Sequence, residues 1–247
     1  MILRSDEYAD ISTAYGPMRT HLFRPVADGK YPGIVLYSEI FQVTAPIRRA
    51  AAMLAGHGFV VAVPEVYHEF LPEGTILEYD QAGADQGNDL KTAKEIASYD
   101  ADARAALDYL KSHPACNGKL GVMGICLGGH LSFRSAATNP DVDACVCFYA
   151  TDIHKNSLGK GMNDNTLESI KNTNAELLMI WGRQDPHVPL EGRRKIQATL
   201  DAVNVNYTWH EFNGQHAFMR DEGPRYDPEL VLQCHRLTID LFKRALG

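Results

Sequence analysis

The sequence predicts a doubly wound α/β fold, in which helices cover both faces of a mostly parallel sheet. Short apolar runs rich in β-branched residues alternate with longer helical patterns along the 247 residues. The central runs are almost continuously apolar, as strands buried on both faces must be. No internal repeat, low-complexity tract or change in composition divides the chain. We therefore expect one domain over residues 1–247, with a core of its own.

Six segments have the length and composition of β-strands, and helical patterns lie between them. The segment 44–56 has Thr44 as its N-cap, Pro46 in its first turn and Gly56 at its end. Apolar residues at i, i+3, i+4 and i+7 predict another helix, which ends before His113. The strands are predicted at 33–37, 59–63, 119–123, 144–149, 177–181 and 205–212, and further helices at 127–137, 190–202 and 228–246.

Two polar segments interrupt this alternation. Residues 67–97 contain three glycines, and we expect them to wrap over one end of the sheet with a short helix near 89–97. Residues 151–174 are rich in Asn, Gly and Lys and separate two strands. Segments of this kind are typical of insertions or of lids over a site.

The sequence VMGICLGGH places a cysteine between two glycines, directly after a strand and directly before a helix. This G-x-C-x-G spacing, at Gly124, Cys126 and Gly128, is typical of a nucleophile elbow. Glycines are needed there because side chains would collide with the adjoining strand and helix. A helix N-terminus also favours the thiolate, which is the reactive form of cysteine. The pattern predicts Cys126 as a nucleophile, whereas the other four cysteines are expected to be buried structural residues.

Two further residues follow later strands in the order that an elbow nucleophile requires, acid before histidine. Asp185 lies in the loop after strand 177–181, and His216 lies in the loop after strand 205–212. We expect His216 to be the base beside Cys126 and Asp185 to hold the far nitrogen of its ring. We expect His130 to be structural, and His187 is close enough in sequence to Asp185 to line the pocket.

Composition and charge exclude several other classes of protein. The net charge of −7 argues against nucleic acid or an anionic membrane as a partner. No run is long and apolar enough to cross a bilayer, and the first residues lack a signal core, so we expect a cytoplasmic protein. Five cysteines without a C-x-x-C pair predict neither disulfides nor zinc. No H-E-x-x-H motif is present, and we expect no metal and no cofactor.

Several motifs together resemble the dienelactone hydrolase family of α/β-hydrolases, and the resemblance extends over nearly the whole chain. It implies an α/β-hydrolase fold and hydrolysis of a small ester or lactone through a thiol acyl-enzyme. We expect a small-molecule ester or lactone as its only partner, and a monomer or a small homo-oligomer. The motifs are YSEIFQV at 37–43, VAVPEVY at 61–67, GICLGG at 124–129, WGRQDPHVP at 181–189 and GQHAFMR at 214–220.

The resemblance supports Cys126, His216 and Asp185 in the roles given above, and it assigns more residues. Glu39 matches a family carboxylate that contacts the resting thiol and helps to activate it. The N–H groups of Leu127 and Ile40 match the oxyanion hole. Physical reasoning agrees with this choice, because one donor follows the nucleophile and the other lies after an early strand.

Substrate recognition is expected to involve Arg220, which matches one of two family arginines that hold a substrate carboxylate. The second arginine has no clear equivalent, since residues 79–97 contain Lys91 and Lys94 but no arginine. Lysine does not replace arginine in two-pronged carboxylate binding, so the sequence leaves the natural substrate open.

Two alternatives remain open at the level of sequence. The same thiol chemistry is compatible with a thioester or an organophosphate substrate. A binding or redox-sensing protein would keep the fold and oxidise Cys126 without turning over a substrate. The presence of His216, Asp185 and Glu39 argues against this second alternative, because a binding protein needs neither a base nor a residue to orient it.

Overall fold

The computed structural model describes residues 1–247 and contains one eight-stranded sheet. The strand order is β1-β2-β4-β3-β5-β6-β7-β8. Strands β3 to β8 are all parallel to one another. Strand β2 pairs antiparallel with β1 on one side and with β4 on the other. The strands are β1 (Leu3–Thr13), β2 (Gly16–Pro25), β3 (Tyr31–Tyr37), β4 (Val60–Pro64), β5 (Cys116–Ile125), β6 (Val142–Phe148), β7 (Glu176–Gly182) and β8 (Tyr207–Phe212).

Seven α-helices connect and cover these strands, so the predicted α/β fold class is confirmed. None of them is both long and apolar enough to cross a membrane. The helices are α1 (Ala45–Gly56), α2 (Gln81–Ala93), α3 (Ile96–Ser112), α4 (Leu127–Thr138), α5 (Thr166–Ser169), α6 (Leu190–Ala202) and α7 (Pro228–Leu246).

The core has two layers, one on each face of the sheet. Helices α3, α4 and α6 bury residues such as Leu107 and Ile196 on one face. Helices α1 and α7 bury Ile47 and Phe242 on the other. Strands β5, β6 and β7 lie between these layers and are buried almost throughout, which explains their continuous apolar sequence.

All six predicted strands are present, but the antiparallel hairpin β1–β2 was not predicted. Its strands carry many charged residues on the exposed face, so neither contains an apolar run. In β2, buried Met18, Thr20 and Leu22 alternate with half-buried residues, and Phe23 and Pro25 are also buried. Gly16 has a φ of +112° in the turn between the strands, a conformation that favours glycine.

The short helix predicted near 89–97 is wrong in its bounds. Helix α2 begins much earlier, at Gln81, and ends at Ala93. Its N-cap is Asp80, whose side chain accepts a hydrogen bond of 2.8 Å from the Gly83 N–H. Its glycines suggested a loop because glycine is a poor helix former. Gly87 is there for a steric reason: a Cβ on it would lie 2.6 Å from the Ile40 carbonyl oxygen.

The segment 151–174 is a packed insertion that contains α5 and two single 3₁₀ turns. Its apolar residues Ile153, Leu158, Leu167 and Ile170 are buried. Buried Arg134 of α4 ties this insertion to the rest of the fold. Its Nη1 donates to the Asp164 carbonyl oxygen at 2.7 Å and to the Thr166 hydroxyl at 3.1 Å.

Arg134 also binds α3, because its Nε and Nη2 donate to both Asp100 carboxylate oxygens at 2.6 and 2.7 Å. We expect Arg134→Ala to lower the free energy of unfolding by about 2–3 kcal/mol, since it leaves buried acceptors without a charged donor. Urea unfolding measures this loss. The exposed ion pairs of Arg104 provide the control, and Arg104→Ala should cost less than about 1 kcal/mol. Equal losses would contradict the bridging role of Arg134.

Candidate active site

Cys126 occupies the sharp turn between β5 and α4. Its φ of 62° and ψ of −117° lie in a region that residues with a side chain rarely adopt. The Cys126 N–H donates to the Phe148 carbonyl oxygen of β6 at 3.0 Å, which fixes the turn to the sheet. The side chain therefore projects from the carboxyl edge of the parallel strands, where open α/β sheets bind ligands.

The two glycines of the motif are required by close backbone contacts. A Cβ on Gly124 would lie 1.8 Å from the carbonyl oxygen of Gly128. A Cβ on Gly128 would lie 2.1 Å from the carbonyl oxygen of Tyr37 in β3. Both distances are far below van der Waals contact, so the predicted collision is confirmed at both positions.

The structure brings Cys126, His216 and Asp185 together, although they are far apart in the chain. His216 Nε2 lies 3.3 Å from Cys126 Sγ, and His216 Nδ1 lies 2.7 Å from Asp185 Oδ2. The other carboxylate oxygen of Asp185 accepts a hydrogen bond of 2.8 Å from the His187 N–H. All three side chains are at least nine-tenths buried. They form a continuous row of sulfur, imidazole and carboxylate.

The electrostatics of this row favour a charged imidazole. Burial lowers the pKa of His216, but the negative charge of Cys126 and the hydrogen bonds to Asp185 and Cys126 outweigh it and raise the pKa to about 10. Burial raises the pKa of Asp185, and the His216 hydrogen bond and charge bring it below its ordinary value. Both shifts favour a protonated His216 paired with an ionised Asp185.

Aromatic rings enclose His216 on two sides. The Tyr149 ring packs edge-on against it at 4.9 Å between centroids, and the His187 ring does so at 4.5 Å. Burial and the nearby charge of His216 lower the pKa of His187, which keeps that second imidazole neutral. His187 also lines the pocket, as its sequence position had suggested.

The two residues expected to form the oxyanion hole are Leu127, which directly follows Cys126, and Ile40, which follows β3. Leu127 is the first residue of α4, where a backbone N–H has no acceptor within its own helix. Ile40 follows β3 and lines the Cys126 pocket, and its N–H makes no hydrogen bond in the structure. Gly87 of α2 packs closely against the Ile40 backbone and holds it in place.

Glu39 and Arg220 form a largely buried ion pair beside the pocket. Arg220 Nη2 donates to Glu39 Oε1 at 2.9 Å, and Arg220 Nε donates to Oε2 at 3.3 Å. The Tyr79 hydroxyl also donates to Glu39, at 3.2 Å, and its ring lies under the guanidinium group. No hydrogen bond joins Glu39 to Cys126. The acidic neighbours Asp221 and Glu222 pair with Arg49 and leave Arg220 to Glu39.

A cavity of about 200 Å³ opens over Cys126 and carries an excess of positive charge. Lys91 is neutralised by Asp152 at 2.7 Å. Lys155 and Arg225 also line the cavity, and neither makes an ion pair. Sequence reasoning missed Arg225, and the only available signal was its place in the loop that follows Arg220. The lining residues are Ile40, Phe41, Ala84, Asn88, Lys91, Cys126, Thr151, Asp152, Lys155, His187, His216, Arg220 and Arg225.

A second group of titratable residues lies apart from this cavity. His68, Glu69 and Asp102 place their polar atoms within 4.8 Å of one another, a spacing that would suit a metal ion. The ammonium group of fully buried Lys94 contacts both carboxylates and supplies positive charge at that point. His130 is also fully buried, at 3.4 Å from the Asp164 carboxylate. These residues hold segments of the fold together.

Comparison with known proteins identifies the family. The family model described as "Dienelactone hydrolase family" matches residues 18–246. A Saccharomyces cerevisiae protein, provisionally named a carboxymethylenebutenolidase, is 40% identical over 99% of this chain and 93% of its own length. The carboxymethylenebutenolidase of Pseudomonas sp. strain P51 is 27% identical over 93% of this chain and 91% of its own length.

A crystal structure from Klebsiella pneumoniae, provisionally described as a dienelactone hydrolase, shares the fold. It superposes with a TM-score of 0.86 and 22% identity, over 99% of this chain and all of that one. The fold and the sequence relatives agree with each other. The chain therefore belongs to the dienelactone hydrolase family of α/β-hydrolases and is a hydrolase of carboxylic esters or lactones.

Proposed function

We propose that this protein hydrolyses a small, carboxylate-bearing ester or lactone through a thioester formed on Cys126. The observation that carries the proposal is the buried row in which His216 lies 3.3 Å from the sulfur and 2.7 Å from Asp185. Such a row supplies a nucleophile, a proton carrier and a group that orients the carrier.

In the first half of the reaction, the Cys126 thiolate attacks the carbonyl carbon and forms the carbon–sulfur bond. The carbonyl oxygen becomes an oxyanion, and the N–H groups of Leu127 and Ile40 donate to it. The oxyanion then collapses, and the bond from carbon to the leaving oxygen breaks. His216 gives its proton to that oxygen, so the alcohol, or the open end of a lactone, leaves as a neutral hydroxyl.

The second half uses His216 in its neutral form. Cys126 carries no charge in the thioester, so a main cause of the raised pKa of His216 disappears while burial still lowers the pKa. Neutral His216 takes a proton from water, and the resulting hydroxide attacks the thioester carbon. The carbon–sulfur bond breaks, the acid is released, and Cys126 and His216 return to the ion pair. The same residue thus acts first as acid and then as base.

We propose that Glu39 does not contact the Cys126 sulfur in the state that the structure represents. Its effect on the sulfur is then only indirect, through the position of its charge. The family resemblance assigns it to a carboxylate that contacts the resting thiol. Here its oxygens accept hydrogen bonds from Arg220 and Tyr79. This arrangement keeps a second negative charge away from the thiolate while Cys126 is paired with His216.

The charges of the cavity support a substrate with a carboxylate. The name carboxymethylenebutenolidase, carried by the relatives, denotes action on a lactone that bears a carboxylate. Arg225 and Lys155 provide unpaired positive charge. The Nη1 of Arg220 makes no hydrogen bond in the structure, so Arg220 still has donors for a substrate oxygen. We propose that Arg220 orients the carboxylate and that Arg225 and Lys155 supply the net attraction.

Replacing the nucleophile tests the chemistry directly. We expect Cys126→Ala to abolish turnover of 4-nitrophenyl acetate. Cys126→Ser should retain less than about one per cent, because a serine hydroxyl is a much weaker acid than a thiol and does not form the ion pair with His216. Steady-state rates of the purified variants measure both effects. A serine variant within a few fold of the parent would show that thiolate formation is not required.

The raised pKa of His216 predicts an unusual pH profile for thiol labelling. Beside a Cys126 thiolate, His216 keeps its proton up to about pH 10, so raising the pH through the neutral range does not break a thiolate–imidazolium pair. We expect the rate of iodoacetamide labelling at Cys126 to change less than about threefold between pH 6.5 and 8.5. In His216→Ala the rate should rise steeply with pH, as for an ordinary thiol with a pKa near 8.5.

Asp185→Asn provides a graded comparison for this experiment, because it weakens the support of the imidazolium without removing the ring. Its labelling profile should lie between those of the parent and His216→Ala. Mass spectrometry locates the label on Cys126 and excludes the four other buried cysteines. A parent rate that rises with pH as steeply as in His216→Ala would refute the ion pair.

The substrate class is tested at Arg225. We expect Arg225→Ala to lower kcat/KM for 4-nitrophenyl hemisuccinate by about ten- to a hundredfold, because a charge-assisted contact is lost. The neutral pentanoate ester, of similar size, should change less than about threefold. Exposed Arg194 on α6 lies outside the cavity, and Arg194→Ala is the control for net charge. Equal losses for the two esters would remove the case for a carboxylate site at Arg225.

A further inference from the structure

A second cavity, of about 110 Å³, lies behind the Glu39–Arg220 ion pair. Most of its wall is apolar, and Ile125, which immediately precedes Cys126, forms part of it. Arg220 lines both this cavity and the one over Cys126. The apolar and aromatic residues of the wall are Pro46, Ile47, Ala50, Ile125, Tyr149, Met219, Tyr226 and Val231.

The two ends of this cavity differ in exposure. At one end Arg49 and Asp221 are partly exposed and joined at 2.6 Å. At the other end Glu39 is almost fully buried, and its charge is matched by Arg220. The cavity therefore leads from the protein surface to the wall of the Cys126 site. Its ionised lining residues are paired, so it has no net charge to attract an ion.

Two residues of the cavity wall each carry a buried polar atom that has no hydrogen-bond partner. Tyr149 is fully buried, and its hydroxyl lies near the Met219 backbone but outside hydrogen-bond geometry. The Nε2 atom of His235 is also buried and unpartnered, and burial lowers the pKa of this imidazole and keeps it neutral. An unsatisfied buried polar group costs about 1–3 kcal/mol, so proteins usually supply a partner from a ligand or from water.

We propose that this cavity is a substrate subsite for an uncharged, mainly apolar side group that carries one hydrogen-bonding oxygen. The apolar wall removes the carbon atoms of this group from water, and the Tyr149 hydroxyl donates to its oxygen. The volume is suited to a group of a few non-hydrogen atoms. This inference rests on the proposed function, since the ester carbonyl of the same substrate must reach Cys126.

The subsite also explains why the two cavities on either side of Arg220 differ in charge and polarity. The cavity over Cys126 offers unpaired cations, whereas the cavity behind Arg220 offers apolar surface and neutral donors. A substrate with a carboxylate at one end and an apolar group at the other would satisfy both. The Arg220–Glu39 pair would lie between the two parts and separate the charged environment from the apolar one.

The test fills the cavity and measures substrate selectivity. Ala50 of α1 lines the cavity, and Ala50→Leu places a larger side chain in it. The control is Ala52→Leu, on the same helix and half-buried but not on the cavity wall. Val231→Ala, which enlarges the cavity, is a second variant of the opposite kind. Thiol-dependent kcat/KM is measured for two pairs of esters, 4-nitrophenyl acetate with hexanoate and methyl acetate with hexyl acetate.

We expect the long-to-short ratio of kcat/KM to fall at least tenfold in Ala50→Leu in one of the two pairs. It should rise in Val231→Ala and stay within twofold in Ala52→Leu. The pair that responds shows whether the acyl or the alcohol side enters the subsite. Unchanged ratios in both pairs would mean that the cavity holds only solvent, and they would overturn the subsite.

The outcome is separable from that of the proposed function. Loss of all turnover in Cys126→Ala with unchanged ratios in Ala50→Leu would refute the subsite alone. Turnover that survives in Cys126→Ala would refute the thiol mechanism itself. Urea unfolding of each variant shows that the changes in ratio come from folded protein.

Discussion

Cys126 holds a left-handed backbone conformation between β5 and α4, and the positions of the other site residues follow from it. The turn is possible because Gly124 and Gly128 leave room for carbonyl oxygens within about 2 Å of where a Cβ would lie. It places the sulfur at the carboxyl edge of the sheet, directly before the first residue of α4. Strands β7 and β8 end at the same edge of the sheet, so the loops that follow them bring Asp185 and His216 to the sulfur. A local strain, held by the packing of the sheet, thus determines a site assembled from distant parts of the chain.

The sequence was sufficient where structure depends on local geometry. The elbow, the two loops after later strands and the alternation of elements all leave short-range patterns, and these predicted the fold class and the row of Cys126, His216 and Asp185. Pairing between distant residues leaves no such pattern. The ion pair of Glu39 with Arg220 and the entry of Arg225 into the cavity depend on how loops pack, and neither was predicted. The charged hairpin β1–β2 and the glycine-containing helix α2 were missed because their local preferences oppose their structure.

The distribution of charge around the cavity follows a simple pattern. The protein as a whole is acidic, with a net charge of −7, and its general field repels anions. In the cavity over Cys126, Asp152 is neutralised by Lys91, and Arg220 is paired with Glu39 outside the cavity lining, while Arg225 and Lys155 have no partner. The cavity therefore carries net positive charge although the protein as a whole is acidic.

The hairpin β1–β2 has a consequence for the protein outside catalysis. Strand β1 is the longest strand and forms one edge of the sheet, so its outer N–H and C=O groups are free to pair with another chain. Charged residues such as Asp6 and Asp10 are exposed along it, and its register with β2 shifts between Arg4 and Glu7. Charge and irregular register both disfavour the addition of a further strand. The polar sequence that concealed this hairpin from prediction thereby protects the sheet against edge-to-edge aggregation.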